Sequence, residues 1–197
     1  MTGDSRLARA LEAIDAANAD DPHVITVEGV ARPKELAHAE LMCRWVQTLD
    51  PDCSEEQVLA ARAHHLRRWT IPRDAYPEGR AGYLKWRTAL KRQHGEDVAA
   101  ILRQAGYDDE AVARVRAIVR KDGLGRDPAV QVHEDALCLV FLETQFDELT
   151  DKLGEGKTIE VLRKTAKKMS PAGLAAARSL RFSTEAAALL ERALAAA

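Results

Sequence analysis

A chain of 197 residues can bury one sizeable core, and with 46% apolar but only 5% aromatic residues, alanine and leucine must do most of the packing. A net charge of −2 gives no global electrostatic pull toward nucleic acid or an anionic membrane. No apolar run reaches spanning length, no leader or lipidation signal is found, and Cys43, Cys53 and Cys138 lack zinc-finger spacing, so the sequence reads as a cytoplasmic protein with reduced thiols.

The chain reads as helix after helix. The first runs from Ser5 to Ala17, with a cap at Asp4 or Ser5. A loop through Asp20-Asp21-Pro22 to Arg32 follows; Val24–Val27 is its only strand candidate, with no evident pairing partner. Pro33 suits a first helical turn and starts a helix carrying His38, which Asp50-Pro51-Asp52 ends. Ser54 and Gln57 form a capping box for the next helix, read as carrying His64 and His65 until Thr70-Ile71-Pro72 breaks it. A long helix spans 81–104, then come 109–121, a glycine-rich stop at 121–125, a helix carrying Asp135, and helices over 157–168, 171–179 and 184–195. The expectation is an all-α protein, a single helical domain over 1–197, with any strand confined to 24–27.

The placing of the histidines is the chief functional signal. Residues three, four and seven apart share a helix face. His38 then lies with Leu41, Met42 and Trp45, and His94 with Leu90, Val98 and Ile101. Asp135 falls on an apolar face with Val132, Leu139, Leu142 and Phe146, where a bare carboxylate is costly without a partner or a metal. Imidazoles and one carboxylate from separate helices make a site for a divalent transition metal: iron, manganese, cobalt, nickel or zinc. The expected ligands are His38, His64, His65, His94 and Asp135. His23, in a loop, and His133, near the start of a helix, are expected to be solvated.

The order His38, His64-His65 after an alanine-rich run, then Asp135 resembles the HD superfamily of metal-dependent phosphohydrolases. By position the resemblance implies that His38, His64 and Asp135 are ligands and that the bundle is HD-like. It departs at His65, where the family has aspartate. Some HD-type proteins carry extra histidines, hold two irons and oxidise their substrates; His94 is placed to be such an extra ligand. The segments 64–73, 80–87, 134–143 and 162–170 also resemble an uncharacterised family of about this length, catalogued as a domain of unknown function, which implies no reaction.

Between Arg62 and Arg92, nine basic residues face only Asp74 and Glu78. Arginine forks match phosphate oxygens, so Arg67, Arg68, Arg73 and Arg80 are expected to hold a small phosphorylated molecule, with Trp69 or Tyr76 covering a ring and Asp74 a candidate for proton transfer. Arg163, Lys164, Lys167 and Lys168 read as a solvated helix face and make no case for nucleic acid. Three readings follow: an HD-type phosphohydrolase acting on a nucleotide or small phosphate ester, a non-haem iron oxygenase on an HD-like scaffold, or a non-catalytic metal- or ligand-binding protein.

Overall fold

The computed structural model describes residues 5–27 and 29–194 and is all-α apart from one small hairpin. Its contacts divide the chain into two compact units, Met1–His133 and Glu134–Ala197. No helix among the described residues is long and apolar enough to cross a membrane.

In the first unit, α1 (Arg6–Ala19) is capped by the Ser5 hydroxyl, which accepts from Ala8 N. Strands β1 (Val24–Val27) and β2 (Val30–Pro33) pair antiparallel, with Val27 opposite Val30. The expected lone strand thus has a partner. Gly29, at φ 80°, takes the left-handed backbone that a tight hairpin turn needs, and the short Val30–Pro33 run hid the partner by leading directly into a helix.

That helix is α2 (Lys34–Leu49), and α3 (Glu55–Arg62) follows with both halves of the Ser54–Gln57 capping box formed. α3 ends sooner than the sequence suggests. His64 and His65 lie after it in turns closed by i→i+3 bonds such as Leu66 N to Ala63 O (3.1 Å), and Arg67 takes a left-handed conformation at φ 52°. Two short 3-10 turns, Arg68–Thr70 and Arg73–Ala75, lead to α4 (Gly79–Ala105) and α5 (Asp109–Arg120).

The core of this unit joins Ala10 and Ile14 of α1, Leu59 of α3, Val98 and Leu102 of α4, and Val115 and Ile118 of α5. Alanines at helix contacts (Ala10, Ala60, Ala99, Ala105) let the backbones approach closely. Gly82 serves a different need: a Cβ there would lie 1.8 Å from the Pro77 carbonyl oxygen, so only glycine lets the 72–78 loop rest on α4.

α6 (Pro128–Leu153) begins in the first unit and continues into the second, which also contains α7 (Glu155–Ala166), α8 (Pro171–Ser179) and α9 (Thr184–Leu194). Leu162, Leu189, Leu190 and the Phe146–Phe182 ring pair (5.4 Å between centroids) are among its packing residues.

Candidate metal centre

The site starts at the N-terminus of α2. Pro33 occupies the cap position and offers no side-chain acceptor. Asp21, buried at 6% exposure, supplies one from the preceding loop: its Oδ2 accepts from Glu35 N at 3.0 Å. Its Oδ1 accepts from His23 N (2.9 Å) and from His23 Nδ1 (2.8 Å). Glu35 is therefore held in the first helical turn, where the helix dipole favours a carboxylate. His38 stands one turn on, on the same face. Both are buried.

The turns after α3 bring His65 to the same point. Glu35 Oε2 lies 3.3 Å from His65 Nδ1 and 3.7 Å from His38 Nδ1. Neither Glu35 Oε2 nor His65 Nδ1 has a hydrogen-bond partner, although both atoms are buried. One ligand atom from each of Glu35, His38 and His65 lies within 4.8 Å of the other two. At ligand distances of about 2.1 Å, donors separated by about 90–110° around one ion lie roughly 3.0–3.4 Å apart. Close approach of buried atoms without hydrogen-bond alignment makes this a group that could hold a divalent ion.

More imidazoles adjoin. His64 stacks on His65 with ring centroids 3.5 Å apart; His94 lies 5.7 Å from His65, and His133 lies 6.0 Å from His64. His94 Nδ1 donates to the Leu66 carbonyl (2.8 Å), which leaves Nε2 as the lone-pair nitrogen, the arrangement that orients a ligating histidine. That Nε2, His64 Nε2 and both nitrogens of His133 are buried without hydrogen-bond partners.

Burial holds all four rings in the neutral, metal-competent form. It pushes His64 well below its ordinary value, with His65 and His133 adding to the effect, and His65 likewise, with Arg68 and His94 adding. His94 is lowered to about 4 by burial. His133 is lowered to about 3 by burial and the Lys121 charge. For Glu35, burial pushes the carboxyl up, but the neighbouring His38, with His64 and Arg68 behind, outweighs it and holds the group below its ordinary value.

The structure departs from the sequence reading at Glu35 and at His133, and it gives Asp135 hydrogen bonds within its own unit. The carboxylate at the cluster is Glu35, which the sequence reading passed over; its signal was the spacing of three from His38. His133, expected to be solvated, is 1% exposed, because the face of the first turns of α6 that carries it is the packed one. Asp135 has its carboxylate engaged within the second unit, where Oδ1 accepts from Ser170 N (2.8 Å) and Oδ2 from Ser170 Oγ (2.5 Å). Ser170 in turn caps α8, so Asp135 anchors that helix start.

A cavity of about 730 Å³ reaches Glu35 and is lined also by His23, Lys34, Arg68, Trp69, Tyr76 and Trp86. Arg68 is the arginine best placed in it. Its guanidinium lies 4.9 Å above the Trp86 ring, whose Nε1 is fixed by the Ile71 carbonyl, and among the described residues its one hydrogen-bond contact is a long 3.4 Å approach to His65 Nε2. Arg73 also lines the cavity but donates to the Tyr76 and Pro77 carbonyls and so shapes the loop. Asp74 is on the cavity wall. Arg67 is half-exposed, 3.9 Å from Asp97, and Arg80 is exposed on the first turn of α4; neither lines the cavity.

A family model described as Domain of unknown function (DUF4202) matches residues 8–190, which covers both compact units. The chain belongs to the DUF4202 family. No curated protein and no solved structure matches it. The site residues of this DUF4202 chain therefore rest on their own geometry.

Proposed function

We propose that this DUF4202 protein is a metal-dependent phosphohydrolase acting on a nucleotide or small phosphate ester, with Glu35, His38 and His65 holding the divalent ion. The observation that carries this reading is Glu35 Oε2, buried, flanked by two histidine nitrogens at 3.3 and 3.7 Å, aligned with neither, and reached by a cavity that Arg68 also lines. A divalent ion there would polarise a phosphoryl oxygen and make water a better nucleophile. Arg68, with most of its donors unused, grips the phosphate oxygens, and Lys34 adds charge beside it. Trp69 and Tyr76 cover a base or ring, and His64 and His94 support the centre as neutral imidazoles.

The test is phosphate release from a panel of nucleoside phosphates and small phosphate esters. Untagged protein is stripped and reloaded in turn with manganese, cobalt, nickel, zinc and iron. Release that needs metal, disappears in Glu35→Gln and shows a KM raised at least about 10-fold in Arg68→Ala supports the reading, since a charge-assisted hydrogen bond is worth about 1.5–3 kcal/mol. No release with any of the five ions refutes it.

One observation favours a second reading. Two histidines and one carboxylate are also the ligand composition of non-haem iron oxygenases. Turnover that requires iron and consumes oxygen would select that reading.

A further inference from the structure

His23 belongs to none of the groups described so far as metal ligands or phosphate contacts, yet its ring is held as a catalytic imidazole is held. His23 lines the same cavity as Glu35 and Arg68. Its Nδ1 is 2.8 Å from Asp21 Oδ1. A carboxylate only accepts, so Nδ1 carries the hydrogen and Nε2 is the nitrogen left to exchange a proton. Asp21 is a strong orienter because it cannot move: it is buried, and its other oxygen accepts from Glu35 N at 3.0 Å. The same carboxylate thus fixes the first turn of α2, where the metal-centre glutamate sits, and the tautomer of His23. Stapling the loop does not require the ring, because Asp21 Oδ1 already accepts the His23 backbone N–H at 2.9 Å. The side chain is 65% exposed, so it makes little contribution to the core and is reachable by a ligand.

We propose that His23, oriented by Asp21, is the general acid of the reaction in this cavity. The proposal rests on the phosphohydrolase reading above. In the step, a bond forms between the water oxygen and phosphorus while the bond from phosphorus to the ester oxygen breaks. The Nε2 proton of the His23 imidazolium passes to the departing ester oxygen, giving a neutral alcohol. The surplus proton of the attacking water is released to solvent, from which the ring is reprotonated. Asp21 fixes the ring's orientation through Nδ1 and acts as a positioning residue.

The experiment compares two probes that differ only in the leaving group, phenyl phosphate and p-nitrophenyl phosphate, on metal-loaded parent, His23→Ala and His23→Gln. p-Nitrophenolate leaves without protonation, whereas phenolate is helped by it. Metal content and far-ultraviolet circular dichroism are measured on the same samples, and the high exposure of His23 predicts that neither changes. General acid catalysis predicts a kcat for phenyl phosphate lowered about 10²–10⁴-fold in both variants, with a much smaller loss for p-nitrophenyl phosphate. Equal losses on the two probes, or none, overturn the role of His23 while leaving the phosphohydrolase reading intact. A parent that hydrolyses neither probe overturns the role of His23, and one that also releases no phosphate from the nucleoside phosphates overturns both.

Discussion

Mild acid should destabilise the metal-free protein through its buried histidines. His94 and His133 are buried and neutral, lowered to about 4 and about 3 from an ordinary value of 6.5. In the unfolded chain both take up a proton once the pH falls below 6.5; in the folded chain they do not. Their stability contribution is therefore complete above pH 6.5 and is lost as the pH falls from there toward the folded values. At about 1.4 kcal/mol per pH unit, each histidine costs about 2 kcal/mol at pH 5, or about 4 kcal/mol for the pair. His64 and His65, also held well below their ordinary values, steepen the loss, and Glu35, held low, adds to it at more acidic pH. A domain with about 5–15 kcal/mol of total stability cannot absorb this easily. The assay is urea unfolding of stripped protein at about pH 7.5 and pH 5 at constant ionic strength, with m-values compared to confirm one transition. His133→Phe is the internal control. It removes a titrating ring and two unpartnered buried nitrogens, so it should be at least as stable as the parent at the higher pH and should lose about 2 kcal/mol less on acidification. Equal parental stability at the two pH values, or an unchanged acid loss in His133→Phe, would refute this account of the buried imidazoles.

Two further substitutions probe the scaffold. Asp135→Asn should lower stability by about 1–3 kcal/mol, because the pairing with Ser170 that anchors α8 is weakened; thermal unfolding checks it. Gly82→Ala should cost about 1–3 kcal/mol, because its Cβ collides with the Pro77 carbonyl and displaces the 72–78 loop that walls the cavity; faster hydrogen exchange across 72–78 is the expected signature.

Periodicity and caps made most of the helices legible, since those signals are local: Ser54 with Gln57 starts α3 as read, and Gly106 ends α4 in the left-handed conformation. The inward faces of His38 and His94 were legible for the same reason. What escaped depends on distant contacts. Nothing near Asp135 announces its bond to Ser170, which is 35 residues away. His133 looked exposed because the opening of α6 does not reveal which face packs. The end of α3 before the histidine pair turns on the left-handed backbone at Arg67, a residue type without a marked preference for it. Glu35 was readable in principle, one turn before His38, but a glutamate at a helix start is equally expected from the dipole alone. His23 could be valued only once Asp21 was seen to be buried against α2.

The central claim is that Glu35, His38 and His65 hold a divalent ion. The direct measurement is the metal content and affinity of untagged protein, parent against Glu35→Gln, by elemental analysis and by titration of the stripped form with cobalt or zinc. The glutamine keeps the size and hydrogen-bonding capacity of the side chain but removes the anionic ligand. Loss of a neighbour that merely supports a ligand costs about 10–100-fold in affinity, so loss of the carboxylate itself should cost at least that much. The account predicts tight uptake by the parent and a drop of that size or larger in Glu35→Gln, with helicity retained. A parent that takes up none of the five candidate metals, or a variant that binds as tightly as the parent, would contradict it.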